Sequence, residues 1–374
     1  MNRRNIISRI NAVLKRDIIC TTSVIVALLS SLLNPVSATY LTYVDYRVLG
    51  ILFTLMCVVA GCKECGIVDF ICNKTVKAAG NLRRLTLILV LLCFVFSMVL
   101  TNDVALFVFV PLTLAIIAGM GSKITIYILV ILTLAANLGS MATPIGNPQN
   151  LFLFSHFELQ FGEFIGTIGP FSAISCILLI ILSMCVPAHT IDITEQRGSS
   201  VKIDKTMTAI YSAVFALAIL TVARVLDYRI CVAVTVLILI LKNSKLLRKI
   251  DYGLLITFIG FFITVGNLRD SHVLDGIIGW AIEKSTMLTS VVVSQFISNV
   301  PATILLSQFT DNWRGILIGS NLGGLGTLIA SLASLITFKI YVKTEGASWK
   351  KYLWYFSLLN VACLLILLCF YLIL

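Results

Sequence analysis

Of the 374 residues, 59% are hydrophobic and 12% charged, the formal net charge is +11 and the mean hydropathy is +1.03. A soluble domain is roughly 45–50% apolar and about 25% charged, so the composition excludes soluble enzymes, disordered chains and fibrous proteins. Apolar stretches long enough to cross a bilayer recur from Cys20 to Leu374, which predicts an all-α polytopic membrane protein. In such a chain the basic excess anchors cytoplasmic loops, and no nucleic-acid partner is implied. The eleven Cys are scattered, mostly within apolar runs, and Cys62 and Cys65 form a lone CxxC with no second pair.

In chain order, residues 1–18 are basic with Ile6, Ile7, Ile10, Val13 and Leu14 at helical spacing, which predicts an amphipathic interfacial helix. About nine full spans follow, at 19–37, 45–63, 123–155 (broken), 164–186, 206–226, 229–241, 252–267, 315–340 (broken) and 352–374. Two further apolar stretches are interrupted near their middles: 81–121 by Thr101-Asn102-Asp103 and 286–310 by Ser298-Asn299. A polar break halfway along such a stretch predicts a re-entrant hairpin, tolerated only where protein or a water-filled cavity surrounds it. With both stretches read as hairpins, 22 of the 28 Lys and Arg fall on one side, which predicts a cytoplasmic N-terminus and an outside C-terminus in the cell membrane.

The chain is self-similar. LTNDVALFVFVPLT (100–113) pairs with ISNVPATILLSQFT (297–310), and ANLGSMATPIGNPQN (136–150) pairs with SNLGGLGTLIASLAS (320–334). Both latter segments carry Asn-Leu-Gly-x-x-x-Thr-x-Ile. With span 206–226 as the odd linking element, residues 19–186 form a first repeat, 187–228 a cytoplasmic loop and linker, and 229–374 a second repeat of inverted orientation. That is the build of many secondary transporters, with the site near the midplane.

The polar breaks carry the candidate chemistry. Asp103 alone among the 17 acidic residues falls deep in an apolar stretch, where an acid costs roughly 2.5–3.5 kcal/mol on insertion scales. No Lys or Arg falls at comparable depth, so Asp103 is either protonated or faces a cation. Thr101, Asn102, Ser298 and Asn299 sit at the expected hairpin tips. Gly139, Gly323, Gly324 and Gly326 let the broken spans unwind and expose carbonyls, and Thr143 and Thr327 add hydroxyl oxygens of the type Na⁺ accepts. Pro144, Pro148 and the run Asn147-Pro148-Gln149-Asn150 keep the first break from closing into helix. His156, His189 and His272 fall in loops or surface segments, and no nucleotide-binding or protease motif is evident.

At TNDVALFVFVP, ANLGSMATPIGNPQN, ISNVPA and NLGGLGTLIAS the chain resembles the ion transporter superfamily. That superfamily includes divalent anion/sodium symporters, citrate permeases, arsenite permeases and sodium/proton antiporters. The resemblance spans essentially the whole chain and is strongest to the citrate transporter-like, anion permease branch. It implies that Thr101, Asn102, Ser298 and Asn299 serve cation and substrate, with Asn137, Gly139, Thr143, Asn321, Gly323 and Thr327 completing two cation sites; Asp103, read from its depth in the apolar stretch, joins the expected cation ligands. Substrate contacts are assigned to Asn102, Asn147, Asn150 and Asn299, and a homodimer with a moving transport domain is implied. The sequence departs from the symporter pattern Ser-Asn-Thr, reading Thr-Asn-Asp at the first tip and Ser-Asn-Val at the second. An Asn-Asp pair at this tip is also a feature of the arsenite-permease and antiporter branches. The expectation is a non-enzymatic, Na⁺- or H⁺-coupled carrier of a small anion, with no cofactor beyond the coupling ion. An antiporter, an arsenite permease and a non-transporting receptor are the alternatives.

Overall fold

The computed structural model describes residues 18–67, 70, 79–190 and 203–374. Nearly all of the expected interfacial helix and most of the loop at 187–205 lie outside the described residues. Among the described residues the chain is almost wholly α-helical and contains no strand. Eight helices among the described residues are long and apolar enough to cross a membrane, and the protein is an all-α polytopic membrane protein.

The chain divides into two compact units, each drawing on both halves of the sequence. The first comprises residues 1–60 and 213–281. It holds α1 (Ile18–Ser30), α2 (Tyr40–Tyr43), most of α3 (Tyr46–Glu64), the end of α9 (Lys205–Val222), α10 (Tyr228–Asn243) and α11 (Tyr252–Asp270). Helix α1 packs along α11, and a Cβ at Gly260 would lie 3.0 Å from the Ser23 carbonyl oxygen, so glycine sets the approach. The expected span 19–37 is helical only to Ser30, because Asn34-Pro35 cannot continue the helix. Its polar end is fastened instead: Asn34 Nδ2 donates to the Asn267 carbonyl (2.9 Å), and Asn267 Nδ2 donates to Ser30 Oγ and Tyr40 OH (3.0 Å each).

The second unit comprises residues 61–212 and 282–374 and contains both hairpins and both broken spans. The first hairpin is α4 (Leu82–Leu100) and α5 (Asn102–Ile116); the first broken span is α6 (Ser122–Ser140) and α7 (Pro148–His156), followed by α8 (Phe161–Met184). The second hairpin is the latter part of α12 (Asp275–Ile297) with α13 (Asn299–Leu306), and the second broken span is α14 (Trp313–Gly323) with α15 (Leu332–Tyr341). Helix α16 (Trp349–Ile373) closes the chain. Helix α12 breaks at Ser285 (φ −168°, ψ 110°), and the Ser285 hydroxyl caps the Leu288 amide, so the hairpin arm begins where the apolar run does. The core is α6, buried almost throughout from Thr125 to Ser140 and packed against α4, α5, α8, α15 and α16. Such all-round burial leaves α6 facing protein on every side, so its polar Asn137 and Thr133 must find partners within the unit.

Candidate functional site

Each hairpin turns on a single residue. Thr101 has φ 73° and ψ 151°, and Ser298 has φ 73° and ψ 154°. This region of backbone space is essentially reserved for glycine, and a side chain there costs on the order of 1–3 kcal/mol. The surroundings hold the turn in both copies. The Asn102 amide donates to the Gly146 carbonyl (3.1 Å), and the Asn299 amide donates to the Ala330 carbonyl (2.9 Å). Gly146 and Ala330 occupy the same position of the two repeated segments, as do Thr143 and Thr327. Thr143 Oγ1 donates to the Met98 carbonyl and Thr327 Oγ1 to the Gln295 carbonyl (3.1 Å), tying each break to its own hairpin arm at matching positions.

Gly139 and Gly323 have a different task from the expected unwinding. Helix α6 continues through Ser140, so Gly139 is still helical, and α14 ends at Gly323. A Cβ on Gly139 would press into the Phe94 carbonyl and Ser97 Oγ; one on Gly323 would lie 2.8 Å from the Ser294 side chain. Ser97 and Ser294 match in the repeat, so each glycine admits the equivalent hairpin arm. Gly326, at φ 106°, is the residue whose conformation itself requires glycine at the second break.

The two breaks also bind each other, crosswise and by matching positions. Asn137 accepts from Ser331 Oγ (2.9 Å) and donates to Ser334 Oγ (3.4 Å). Asn321 accepts from Asn147 Nδ2 (3.0 Å) and donates to Asn150 Oδ1 (2.7 Å). Asn147 and Asn150 occupy the positions of Ser331 and Ser334 in the aligned segments. Asn102 joins this network through a 3.4 Å bond from its Nδ2 to Asn137 Oδ1, while its own Oδ1 accepts the Asp103 amide (2.9 Å).

Asn147 and Asn150, assigned above to substrate, are 1% and 0% exposed and already committed within the fold. Asn147 Oδ1 caps α7 by accepting the Asn150 amide (2.9 Å), and Asn150 Nδ2 reaches the carbonyls of Ser140, Met141 and Thr143 (3.4, 3.2 and 3.1 Å). They stitch the first break. Asn299 is buried beside Gly324, Asp103 is half-buried one residue beyond Asn102, and Thr327 is exposed. The structure therefore joins Asn102 to Asn137 and joins Asn321 to Asn147 and Asn150, but gives no hydrogen bond between Asn299 and Asn321. Ser331, Ser334, Ser140 and Gln295 were missed as site residues. For Ser331 and Ser334 the signal was present, since the repeat alignment sets them opposite Asn147 and Asn150.

Among the described residues no group of three or more His, Cys, Asp or Glu could hold a metal ion. The donors at the breaks are amides, hydroxyls and backbone carbonyls, hard oxygen chemistry suited to alkali cations and to hydrogen bonding of oxyanions.

Two broken spans facing two hairpins within a polytopic helical unit define the class as a secondary transporter. The chain belongs to the citrate transporter family, whose model matches residues 6–312. It is 34% identical over 321 residues to the uncharacterized transporter MJ0456 of Methanocaldococcus jannaschii, covering 84% of this chain and 86% of that one. It is 31% identical over 328 residues to the inner membrane protein YbiR of Escherichia coli, covering 86% and 85%. It is 24% identical over 343 residues to the uncharacterized transporter Rv2684 of Mycobacterium tuberculosis, covering 80% and 79%.

Proposed function

We propose that the protein carries a small carboxylate anion across the membrane, coupled to Na⁺ or H⁺, by alternating access of the two hairpins and broken spans. The observation that supports this most directly is the hairpin–break junction built twice, with matching backbone torsions and matching hydrogen bonds, and with a carboxylate in the first copy. Asp103 stands beside Asn102, and a bare carboxylate there repels an anionic substrate. Protonation or a bound cation removes that repulsion, so anion binding and cation binding are linked. Asn102 and Asn299, at the N-terminal ends of α5 and α13, lie where helix dipoles favour a carboxylate. The reading includes a cytoplasmic N-terminus, an outside C-terminus and a homodimer. Its place within the superfamily is the anion-permease branch.

The Asn102-Asp103 pair favours a second reading, a sodium/proton antiporter. One experiment separates the two. Internal pH is followed in proteoliposomes after an external Na⁺ jump, first without and then with citrate or a dicarboxylate. Carboxylate uptake that depends on Na⁺ or on a proton gradient, with the dependence lost in Asp103→Asn, is the expected result. Proton efflux on the Na⁺ jump alone, lost in the same variant, would replace the first reading with the second.

A further inference from the structure

The two junctions match in backbone and differ at two side chains. Val300 stands where the first copy has Asp103, and Gln295 stands where the first copy has Met98. Both differences change the electrostatics in the same direction. Gln295 leaves the hairpin arm and enters the second break, where its Nε2 donates to the carbonyls of Gly323 (2.8 Å), Leu325 (3.0 Å) and Val291 (3.2 Å). Its Oε1 accepts the Thr327 amide (2.8 Å), which fixes the orientation of the amide, because the oxygen must face that N–H and the nitrogen the carbonyls. Gly326 lies directly against Oε1, with no room for a Cβ.

An amide NH₂ amid backbone carbonyls of both a hairpin arm and an unwound span offers the partial positive charge that a shared alkali cation would offer. We propose that Gln295 takes the place of a second coupling cation, so that the chain binds one alkali cation at most, at the first tip. Met98, a thioether without a donor, leaves the corresponding place between α4 and the first break unfilled by any amide from the hairpin arm. Asn150 Nδ2 does reach carbonyls of the first break, but it comes from beyond the break and ties that segment to itself, while Asn150 Oδ1 accepts from Asn321 of the second break; neither atom comes from the hairpin arm. Nearby Asp103 supplies a carboxylate to the first junction, and Val300 supplies none to the second. The inference rests on the cation-coupled reading above, and it specifies that the coupling is one-sided.

The test is the number of ²²Na⁺ ions bound per purified full-length chain in nanodiscs, in the wild type, in Asp103→Asn and in Gln295→Glu. The Glu substitution keeps the shape and replaces the donor nitrogen by an oxygen, which turns the filled carbonyl cluster into a cation site. One ion in the wild type, none in Asp103→Asn and two in Gln295→Glu is the expected result. No ion in the wild type but one in Gln295→Glu would still support the role of Gln295, while removing Na⁺ from the coupling assigned to the first tip. Two ions in the wild type, or one that survives Asp103→Asn and is lost in Thr327→Ala, would overturn the proposal. So would a folded Gln295→Glu protein that gains no ion. Should Gln295→Glu not fold, Gln295→Asp, which carries the same carboxylate on a shorter side chain, takes its place with the same expected and overturning counts.

Discussion

Replacing Asn321 by Ala probes the crosswise lock between the two broken spans. The substitution removes the 2.7 Å bond to Asn150 Oδ1 and the 3.0 Å bond from Asn147 Nδ2. Asn147 Nδ2 keeps Ser140 Oγ at 3.2 Å, so its loss is partial, whereas Asn150 Oδ1 loses its partner inside a fully buried site. A buried polar atom left unsatisfied costs about 1–3 kcal/mol, and a net hydrogen bond contributes about 1 kcal/mol. With the small cavity left by the shortened side chain, the expected loss is about 3 kcal/mol. Asn150→Ala is expected to cost a similar amount, because the carbonyls of Ser140, Met141 and Thr143 lose their common donor. In the double variant the penalty for the orphaned oxygen is absent, so the combined loss falls short of the sum by about 1–2 kcal/mol. Unfolding in mixed micelles with a rising fraction of denaturing detergent measures all three. Losses that add to within about 0.5 kcal/mol would refute the direct coupling of the two breaks.

Two further predictions concern glycine and a phenol. Gly139→Ala forces a Cβ into the Phe94 carbonyl and to 2.8 Å from Phe94 Cα, backbone that cannot step aside, and overpacking of this kind costs about 1–3 kcal/mol. Gly166→Ala, within α8 where a Cβ meets nothing within 4 Å, is expected to raise stability by up to about 1 kcal/mol. Thermal melts followed by fluorescence size-exclusion should therefore move in opposite directions; a shared direction would contradict the close packing of α4 on α6. In the first unit, burial and the hydrogen bond to Asp270 (2.7 Å) push the Tyr43 phenol up from 10.0 to about 12. A raised folded-state value means that its stabilising contribution is whole below pH ~10 and is lost as pH climbs toward 12. Melting temperature should thus fall more steeply above pH 10 in the wild type than in Tyr43→Phe, and parallel curves would discount the Tyr43–Asp270 bond.

The hydropathy of the chain determined its membrane class and nearly all the helix positions, since a helix must satisfy its own backbone in lipid and the apolar run length sets its extent. The polar interruptions at Thr101–Asp103 and Ser298–Asn299 marked the hairpin turns, and the shared Asn-Leu-Gly-x-x-x-Thr-x-Ile pointed to both breaks. Period and composition say nothing, however, about partners far apart in the chain. The bonds from Asn321 to Asn147 and Asn150, and from Asn137 to Ser331 and Ser334, cross more than 170 residues and exist only because the two breaks meet. For the same reason Asn147 and Asn150 read as substrate ligands in sequence, while in the fold their side chains are buried and hydrogen-bonded to the two breaks. Nothing in the sequence singles out Gln295, whose side chain acquires a role only when α12 is laid against the second break. The turn torsions at Thr101 and Ser298 were equally hidden, because residues other than glycine adopt them only where tertiary hydrogen bonds to Gly146 and Ala330 hold them.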